Sequence, residues 1–189
     1  MIKSMLRSFV LLIFFTLLLG IFYPLVLSGI GKLLFPKQAN GSLVEKNGIV
    51  IGSSLIAQDF VQDIHFHGRP TLSDASNAPL SKAMFDRFAE RINTLQNYNF
   101  KQGKGVPVEL IMDSGSTVDP DISPEGAYFQ ISRISKATGI SEDKLQKMID
   151  FYTKNSFINL YGQKRVNVLT LNLEINSYLN AIERLQPKR

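Results

Sequence analysis

Residues 8–31 read SFVLLIFFTLLLGIFYPLVLSGIG and include no charged side chain. An α-helix of this length extends about 36 Å, and the hydrocarbon layer of a bilayer is about 30 Å thick. The run can therefore span a membrane with some tilt. A cleaved signal peptide is the competing interpretation, but its apolar core is usually about 7–15 residues and precedes a small-residue cleavage site. This run is longer and has no Ala-x-Ala pattern, which favours an uncleaved transmembrane anchor.

Basic residues on the two flanks of the run indicate its orientation. Lys3 and Arg7 precede it together with the N-terminal amine, whereas Lys32 and Lys37 follow it. The positive-inside rule favours an N-terminus in the cytoplasm. We therefore expect residues 1–37 to form a cytoplasmic N-terminus and a transmembrane helix of the cell membrane. Residues 38–189 are then one extracytoplasmic domain, whose size suits a single hydrophobic core.

Charge and cysteine content exclude several classes of function. The net charge is +5, and the basic residues of 1–37 account for +4 of it, which leaves +1 for residues 38–189. Such a domain has no electrostatic footprint for nucleic acid. The chain has no cysteine, which excludes disulfides, thiol catalysis and thiolate metal sites.

Three strands are predicted in the outer domain. Residues 38–48 are polar and are interpreted as linker and turn. Residues 49–56 favour a strand that bends at Gly52. Residues 106–112 favour a second strand, and residues 169–176 alternate apolar with polar side chains, which is typical of a half-buried strand.

Four helices complete the prediction of an α+β fold, with one N-terminal transmembrane helix followed by a single mixed α/β domain. Residues 60–77 are loop-like, and Pro79 opens the first helix, whose apolar face recurs every three to four residues: Leu80, Met84, Phe88, Ile92 and Leu95. A second helix is predicted from the Ser123 cap and Pro124 to Gly139, and a fourth over residues 177–185. A third starts at Ser141, and the residues on its apolar side are Leu145, Met148, Ile149 and Tyr152.

Histidines and aspartates are the candidate ligand-binding residues. His65 and His67 would point to the same side of an extended segment, but a metal site needs further ligands, and none is evident nearby. The alternative is that these rings bond loop backbone or face a partner protein. Asp113, Asp119 and Asp121 share one loop, but their spacing matches no standard calcium loop, so turn chemistry is favoured. The sequence predicts no bound metal.

Self-sufficient catalytic motifs are absent from the sequence. It has no P-loop, no Gly-x-Ser-x-Gly elbow and no Asp-Lys-Thr-Gly-Thr segment. Residues 131–149 are similar to a helix-turn-helix, with Ala137, Gly139 and Ile140 where its turn prefers small, glycine and apolar residues. A membrane-anchored DNA-binding regulator is therefore the alternative function, although residues 124–154 carry five basic and four acidic residues, which is little charge for phosphate binding.

Five segments in order resemble the C subunit of the bacterial Kdp potassium-transporting ATPase, a P-type ion pump. They are residues 52–60 (GSSLIAQDF), 66–70 (FHGRP), 114–124 (SGSTVDPDISP), Gln130 with Arg133, and 165–172 (RVNVLTLN). The resemblance covers nearly the whole chain. It departs from the family after residue 70, where only Thr71–Ala78 stands in place of a longer polar segment.

The resemblance implies a non-catalytic accessory subunit of an ATP-driven potassium uptake complex in the membrane. Its partners would be a potassium-channel-like subunit and a P-type ATPase subunit, with no nucleic acid. ATP and potassium would belong to the complex. The family is described as a catalytic chaperone that raises the ATP affinity of the ATPase subunit. From outside the membrane this effect requires conformational coupling. Gln58, an amide in the first motif, is the candidate for any nucleotide contact.

The resemblance also implies roles for the motif residues. The charged ones, Arg69, Asp119, Asp121 and Arg165, are expected to hold loop–loop contacts or to face the channel-like subunit, and not to bind a substrate. The other motif residues expected at partner contacts or in the motif loops are His67, Gly68, Ser116 and Asn167.

Small residues form a line along the transmembrane helix. Thr16, Gly20, Pro24 and Ser28 are spaced by four and therefore share one side. Close approach of backbones at small residues stabilises helix pairs in lipid, so this side is the predicted docking face. The alternative is that Gly20 and Pro24 only kink or loosen the helix.

Overall fold

The computed structural model describes residues 2–46, 48–70, 81–100, 105–155 and 162–185. The chain divides into two compact units, residues 1–53 and residues 54–189. The first consists of the apolar N-terminal segment and a small hairpin, and the second contains the hydrophobic core.

One long helix dominates the first unit. It consists of α1 (Ile2–Leu17), a π-helical turn (Leu18–Phe22) and α2 (Tyr23–Leu34). The continuous helix Ile2–Leu34 has 33 residues and no buried side chain, and its length and apolar composition are sufficient to cross a membrane. It therefore fits the transmembrane helix expected from residues 8–31.

The π-turn explains how the helix accommodates a proline. Pro24 has no backbone N–H, so a regular α-helix would lose the bond to Gly20 at this point. In a regular α-helix one turn takes 3.6 residues, so side chains spaced by four are slightly offset around the helix axis. A π-turn takes more residues per turn and reduces this offset. The π-turn therefore keeps Gly20 and Pro24 on one side of the helix.

A two-stranded hairpin follows the short helix α3 (Pro36–Ala39). Strands β1 (Leu43–Lys46) and β2 (Ile49–Ser53) are antiparallel and are joined through Gly48, which has a positive φ of 76°. The prediction of linker over residues 38–48 is therefore wrong for β1. The register slips between Val44 and Glu45, opposite Gly52, which fits the predicted bend; β2 ends at Ser53, short of the predicted residue 56.

The second unit is built mainly from helices. Its elements are α4 (Lys82–Tyr98), α5 (Val108–Ile111), β3 (Asp121–Ile122), α6 (Pro124–Thr138), α7 (Glu142–Tyr152), β4 (Val166–Asn167) and α8 (Val168–Leu185). Strands β3 and β4 pair antiparallel. The fully buried apolar side chains at the centre of the core include Phe66, Ile134, Leu145, Ile149, Leu171 and Ile175.

Helix α6 begins and ends as predicted, and α7 begins as predicted. The Ser123 hydroxyl accepts the Gly126 N–H at 3.0 Å, and Pro124 occupies the first turn of α6. Gly139 ends this helix in the left-handed conformation, with φ of 73°. The Ser141 hydroxyl caps α7.

The alternating segment 169–176 is helical, so the prediction of a strand is wrong. Val168, Leu171, Asn172 and Ile175 are buried, at a spacing of three and four residues that fits one face of a helix. The Oδ1 atom of Asn167 accepts the N–H of Thr170 at 3.1 Å and so caps the start of α8. The leucines of this segment fit both the two-residue period of a strand and the 3.6-residue period of a helix, and the Asn167 cap favours the helix. The helix predicted over residues 177–185 is its C-terminal half.

The predicted strand at 106–112 is also wrong, because the segment contains α5. Pro107 precedes the helix in an extended conformation, and the Met112 N–H donates to the Val108 carbonyl at 2.9 Å. Leu110 and Ile111 are both buried although they are consecutive. An apolar run of this length is therefore not diagnostic of a strand.

Helix α4 has the predicted apolar face, half-buried at Met84, Phe88, Ile92 and Leu95. It begins at Lys82 with Ser81 as its cap. The predicted helix start at Pro79, the position of Leu80 and the short segment Thr71–Ala78 lie outside the described residues.

Candidate functional site

The His-Gly-Arg-Pro motif lies on a segment whose backbone is held by two buried side-chain amides. Asn172 accepts the Phe66 N–H at 2.7 Å and donates to the Phe66 carbonyl at 2.9 Å. Gln130 accepts the His67 N–H at 2.8 Å and donates to the His67 carbonyl at 3.0 Å. Each amide thus satisfies one donor and one acceptor, as a neighbouring strand would. The motif backbone is thereby fixed to α6 and α8.

Arg133 of α6 also holds this segment. Its side chain is only 2% exposed. The guanidinium donates to Asn99 Oδ1 at 3.0 Å, to the His65 carbonyl at 2.9 Å, to Gln130 Oε1 at 2.8 Å and to the Asp63 carbonyl. Burial lowers the pKa of Arg133 from its usual value. The four acceptors are the compensation that keeps a buried cation tolerable.

The two histidines are engaged separately within this network. His65 Nε2 lies 3.0 Å from Asn176 Oδ1, and His67 Nε2 donates to the Gln62 carbonyl at 3.1 Å. The His67 ring stacks on Tyr98 with 5.7 Å between centroids. Burial and then the nearby Arg133 charge hold the pKa of His67 below its ordinary value. The His67 ring thus bonds to loop backbone, which is a predicted alternative to metal binding.

Among the described residues, no three His, Asp or Glu side chains lie together as a metal site would require. The three aspartates of the turn-rich loop instead bond to protein groups. Asp119 Oδ1 accepts the N–H of Asp121 at 3.1 Å, which is turn chemistry. Asp113 accepts from Arg91 at 2.7 Å.

Four charged motif residues form two ion pairs, one between two loops and one beside the paired strands β3 and β4. Arg69 Nη1 lies 3.0 Å from Asp119 Oδ2, and Arg165 Nε lies 3.1 Å from Asp121 Oδ2. Asn167 donates to Asp121 Oδ1 at 3.0 Å. Both pairs are partly exposed, so each contributes about 0–1 kcal/mol, and their main effect is to define the loop geometry.

These loops border an open cleft of about 460 Å³. Its charges are balanced, with three basic and three acidic side chains: Arg69, Lys164, Arg165, Glu109, Asp119 and Asp121. A second cleft of about 440 Å³ is lined by His67, Gly68 and Gln130 together with Arg87, Glu90 and Arg91 of α4. The motif residues thus border two surfaces and do not converge on one centre.

The remaining candidates are spread over the two units. Ser116 is exposed, and its hydroxyl accepts the N–H of Val118 at 3.4 Å. A Cβ on Gly68 would lie 3.9 Å from Val168, in ordinary contact, so space does not require glycine there. Gln58 is half-buried and does not line either of the two clefts. Gly20 belongs to the membrane helix of the first unit, where an added Cβ would meet nothing within 4 Å.

Two residues of the network, Asn99 and Asn172, are not identifiable as partners from the sequence. Asn172 lies 106 positions from Phe66, and Asn99 lies 34 positions from Arg133. The available signal is a polar residue on an otherwise apolar helix face. Asn172 is fully buried between apolar neighbours of α8, and such a residue must find a partner in the fold.

Comparison with known proteins gives a consistent result. A family described as "K+-transporting ATPase, c chain" matches residues 5–177. A protein of Rhodopseudomonas palustris (strain BisB5), named potassium-transporting ATPase KdpC subunit, is 41% identical over 94% of this chain and 98% of its own length. A protein of the same name from Bradyrhizobium diazoefficiens is 40% identical over 93% of this chain and 98% of its own length.

Proposed function

The chain belongs to the KdpC family of potassium-transporting ATPase subunits, and we propose that it acts as a non-catalytic assembly subunit of the potassium pump. Its membership supports an accessory role in potassium transport, and the apolar N-terminal helix Ile2–Leu34 fits a membrane anchor. The partners we propose are the channel-like subunit and the P-type ATPase subunit. Neither ATP nor potassium is proposed to be a resident ligand of this chain.

The observation that carries the proposal is the use of the motif residues in internal contacts. Arg69 pairs with Asp119 and Arg165 with Asp121, and the buried Arg133 donates to four protein acceptors. A catalytic group instead needs a free proton or lone pair directed at a substrate. These motifs therefore favour a rigid platform over a reaction centre.

The DNA-binding alternative has no support. Residues 131–149 form a helical hairpin, α6 followed by α7, in which Gln130, Arg133 and Ile134 face the core. On α7, Lys147 is paired with Asp143 at 2.7 Å. The relatives are transport subunits by name.

We propose that the small residues of the membrane helix form the docking face for the partner subunits. Gly20→Leu would add a bulky side chain where we expect helices to approach closely. We expect the amount of partner subunits copurified to fall by about tenfold, corresponding to a loss of ~1.4 kcal/mol. The neighbouring substitution Leu19→Phe, on another side, should be tolerated. Equal recovery of partners with both variants at equal expression would contradict the docking face.

We propose that residues 38–189 face away from the cytoplasm, on the basis of Lys3 and Arg7 ahead of the span. An alkaline phosphatase fused after Arg189 should then be active, because this enzyme matures only outside the cytoplasm. A fluorescent cytoplasmic reporter fused at the same place should be silent. An inactive phosphatase together with a fluorescent reporter would refute this orientation.

We propose that any effect of this chain on ATP affinity is indirect. From the far side of the membrane, a subunit can change nucleotide binding only by stabilising one conformation of its partner. Gln58 remains the candidate for direct contact that the resemblance implies. A Gln58→Ala complex with unchanged KM for ATP would favour the indirect route.

A further inference from the structure

The π-turn in the membrane helix changes which backbone groups are paired. In a regular α-helix, the N–H of Tyr23 would donate to Leu19 and position 24 would donate to Gly20. Here the Tyr23 N–H donates to Leu18, and Pro24 has no N–H to donate. The carbonyls of Leu19 and Gly20 therefore both lose their α-helical donors.

The helix itself has too few backbone N–H groups to replace these lost hydrogen bonds. The carbonyls of residues 19–21 share a single backbone donor, the N–H of Leu25. The next N–H, that of Val26, is the α-helical donor to Phe22. Two carbonyls are thus without a full hydrogen bond from their own helix. In hydrocarbon an unsatisfied carbonyl is costly, and a proline in a membrane helix is tolerated where a neighbouring helix, a side chain, a water or a local change of helix type supplies the missing donor. The π-turn is such a change, but it leaves one N–H for three carbonyls.

The same turn also presents a hydroxyl. Tyr23 is 54% exposed, and its phenol bonds to no other group in the described part of the chain. The centre of the uncharged run 8–31 lies between Leu19 and Gly20, so Tyr23 is about 5 Å along the helix from it. Tyrosines of membrane helices are usually found at the interfaces, where the hydroxyl is hydrated. This one lies at the depth where lipid offers neither donor nor acceptor.

Hydroxyl and carbonyls share one side of the helix. The Leu19 carbonyl would accept from Tyr23 in a regular α-helix, so it lies directly beneath this residue, and the Tyr23 side chain leans back over the preceding turn. Gly20 has no side chain to cover the carbonyls, and a Cβ there would have nothing within 4 Å. A neighbouring helix can therefore approach closely enough to reach the backbone.

We propose that the Tyr23 hydroxyl and the free carbonyls of residues 19–21 form a hydrogen-bonding site for a polar side chain on a transmembrane helix of another pump subunit. This inference rests on the proposed function, since it requires the partner subunits. The occupant must both donate to the carbonyls and accept from the phenol, as a hydroxyl or carboxamide side chain does. Acyl chains can do neither, which favours a protein helix over lipid as the occupant.

Two substitutions with opposite effects on the helix itself test the site. Tyr23→Phe removes only the hydroxyl. Pro24→Ala restores an N–H and favours a regular α-helix, so the isolated helix becomes more stable while the free carbonyls disappear. We expect each variant to lower copurification of partner subunits in detergent by roughly threefold to tenfold. The control Phe22→Leu, which changes no polar group, should behave as the wild type.

The two outcomes separate the site from a merely structural proline. If Pro24 were only a tolerated kink, Pro24→Ala would leave assembly unchanged or improve it, and this result would overturn the proposal. Wild-type recovery of partners with Tyr23→Phe would do the same. Membrane levels of each variant are measured to exclude loss of the chain itself. Failure of the wild-type chain to recover any partner would refute the proposed function instead.

Photocrosslinking identifies the occupant. With benzoylphenylalanine in place of Tyr23, in membranes containing all subunits, we expect an adduct with another subunit of the pump. The same probe at Phe22 is the control for random proximity. Adducts with lipid alone at position 23 would contradict a protein occupant.

Discussion

Replacing Arg133 with methionine is expected to lower the free energy of unfolding of residues 54–189 by about 3–5 kcal/mol. The substitution keeps much of the volume but removes all the donors. Four acceptors lose this donor: the carbonyls of Asp63 and His65, the Oδ1 atom of Asn99, and Gln130 Oε1, which keeps the His67 N–H. Each buried acceptor left unpaired costs about 1–3 kcal/mol, and partial hydration of the exposed Asp63 end reduces the sum.

The measurement is denaturant unfolding of the full chain in detergent, followed by tyrosine fluorescence because the chain has no tryptophan. The matched control is Arg184→Met, which makes the same change at an exposed position of α8. We expect the control to be within about 0.5 kcal/mol of the wild type. Similar midpoints for both variants would show that Arg133 does not hold the motif segment.

Asn172→Asp is expected to make the free energy of unfolding fall as pH rises, which tests the two hydrogen bonds between the Asn172 amide and the Phe66 backbone, here called the amide clamp. The Asn172 side chain is fully buried and both accepts from and donates to the Phe66 backbone. A protonated aspartate can do both, whereas a carboxylate opposite the Phe66 carbonyl cannot donate. Burial of the charge therefore raises the pKa of this aspartate above its unfolded value of about 3.9.

The sign follows from linkage. Between the unfolded pKa and the raised folded pKa, the folded state binds more protons, so the stability of the variant falls as pH rises. Relative to the wild type, we expect a loss of about 3 kcal/mol at pH 7.5 that becomes smaller towards pH 4.5. Asn180→Asp, at an exposed position of the same helix, is the control and should track the wild type. A loss that is constant with pH would contradict the clamp.

Local signals in the sequence predict part of this fold, and long-range pairings account for most of the rest. The caps at Ser123 and Ser141 and the stop at Gly139 act within one turn, so their prediction is confirmed. The strand prediction for segment 169–176 is wrong because its leucines satisfy both a strand and a helix period. Asn167, whose cap favours the helix, belongs to one of the family motifs, but the motif alone does not indicate that this residue caps a helix.

The site is predictable as a set of motif residues but not as a geometry. Arg69 and Asp119 are 50 positions apart, and Gln130 and His67 are 63 positions apart, so no spacing rule relates them. Their pairing depends on how α6 and α8 pack around the motif segment. The order of the short motifs is sufficient to indicate the family and requires no knowledge of their contacts. The comparisons confirm this family.

The central claim is that the motif residues build a platform for assembly and do not perform chemistry. The most direct test measures, for Arg69→Ala and Asp119→Ala, both the yield of assembled complex and the potassium-stimulated ATPase rate per assembled complex. Lys147→Ala, which removes a partner from an exposed helix pair, is the control. We predict that the yield falls while the rate per assembled complex stays close to that of the wild type. Normal assembly with a lost ATPase rate would contradict the account.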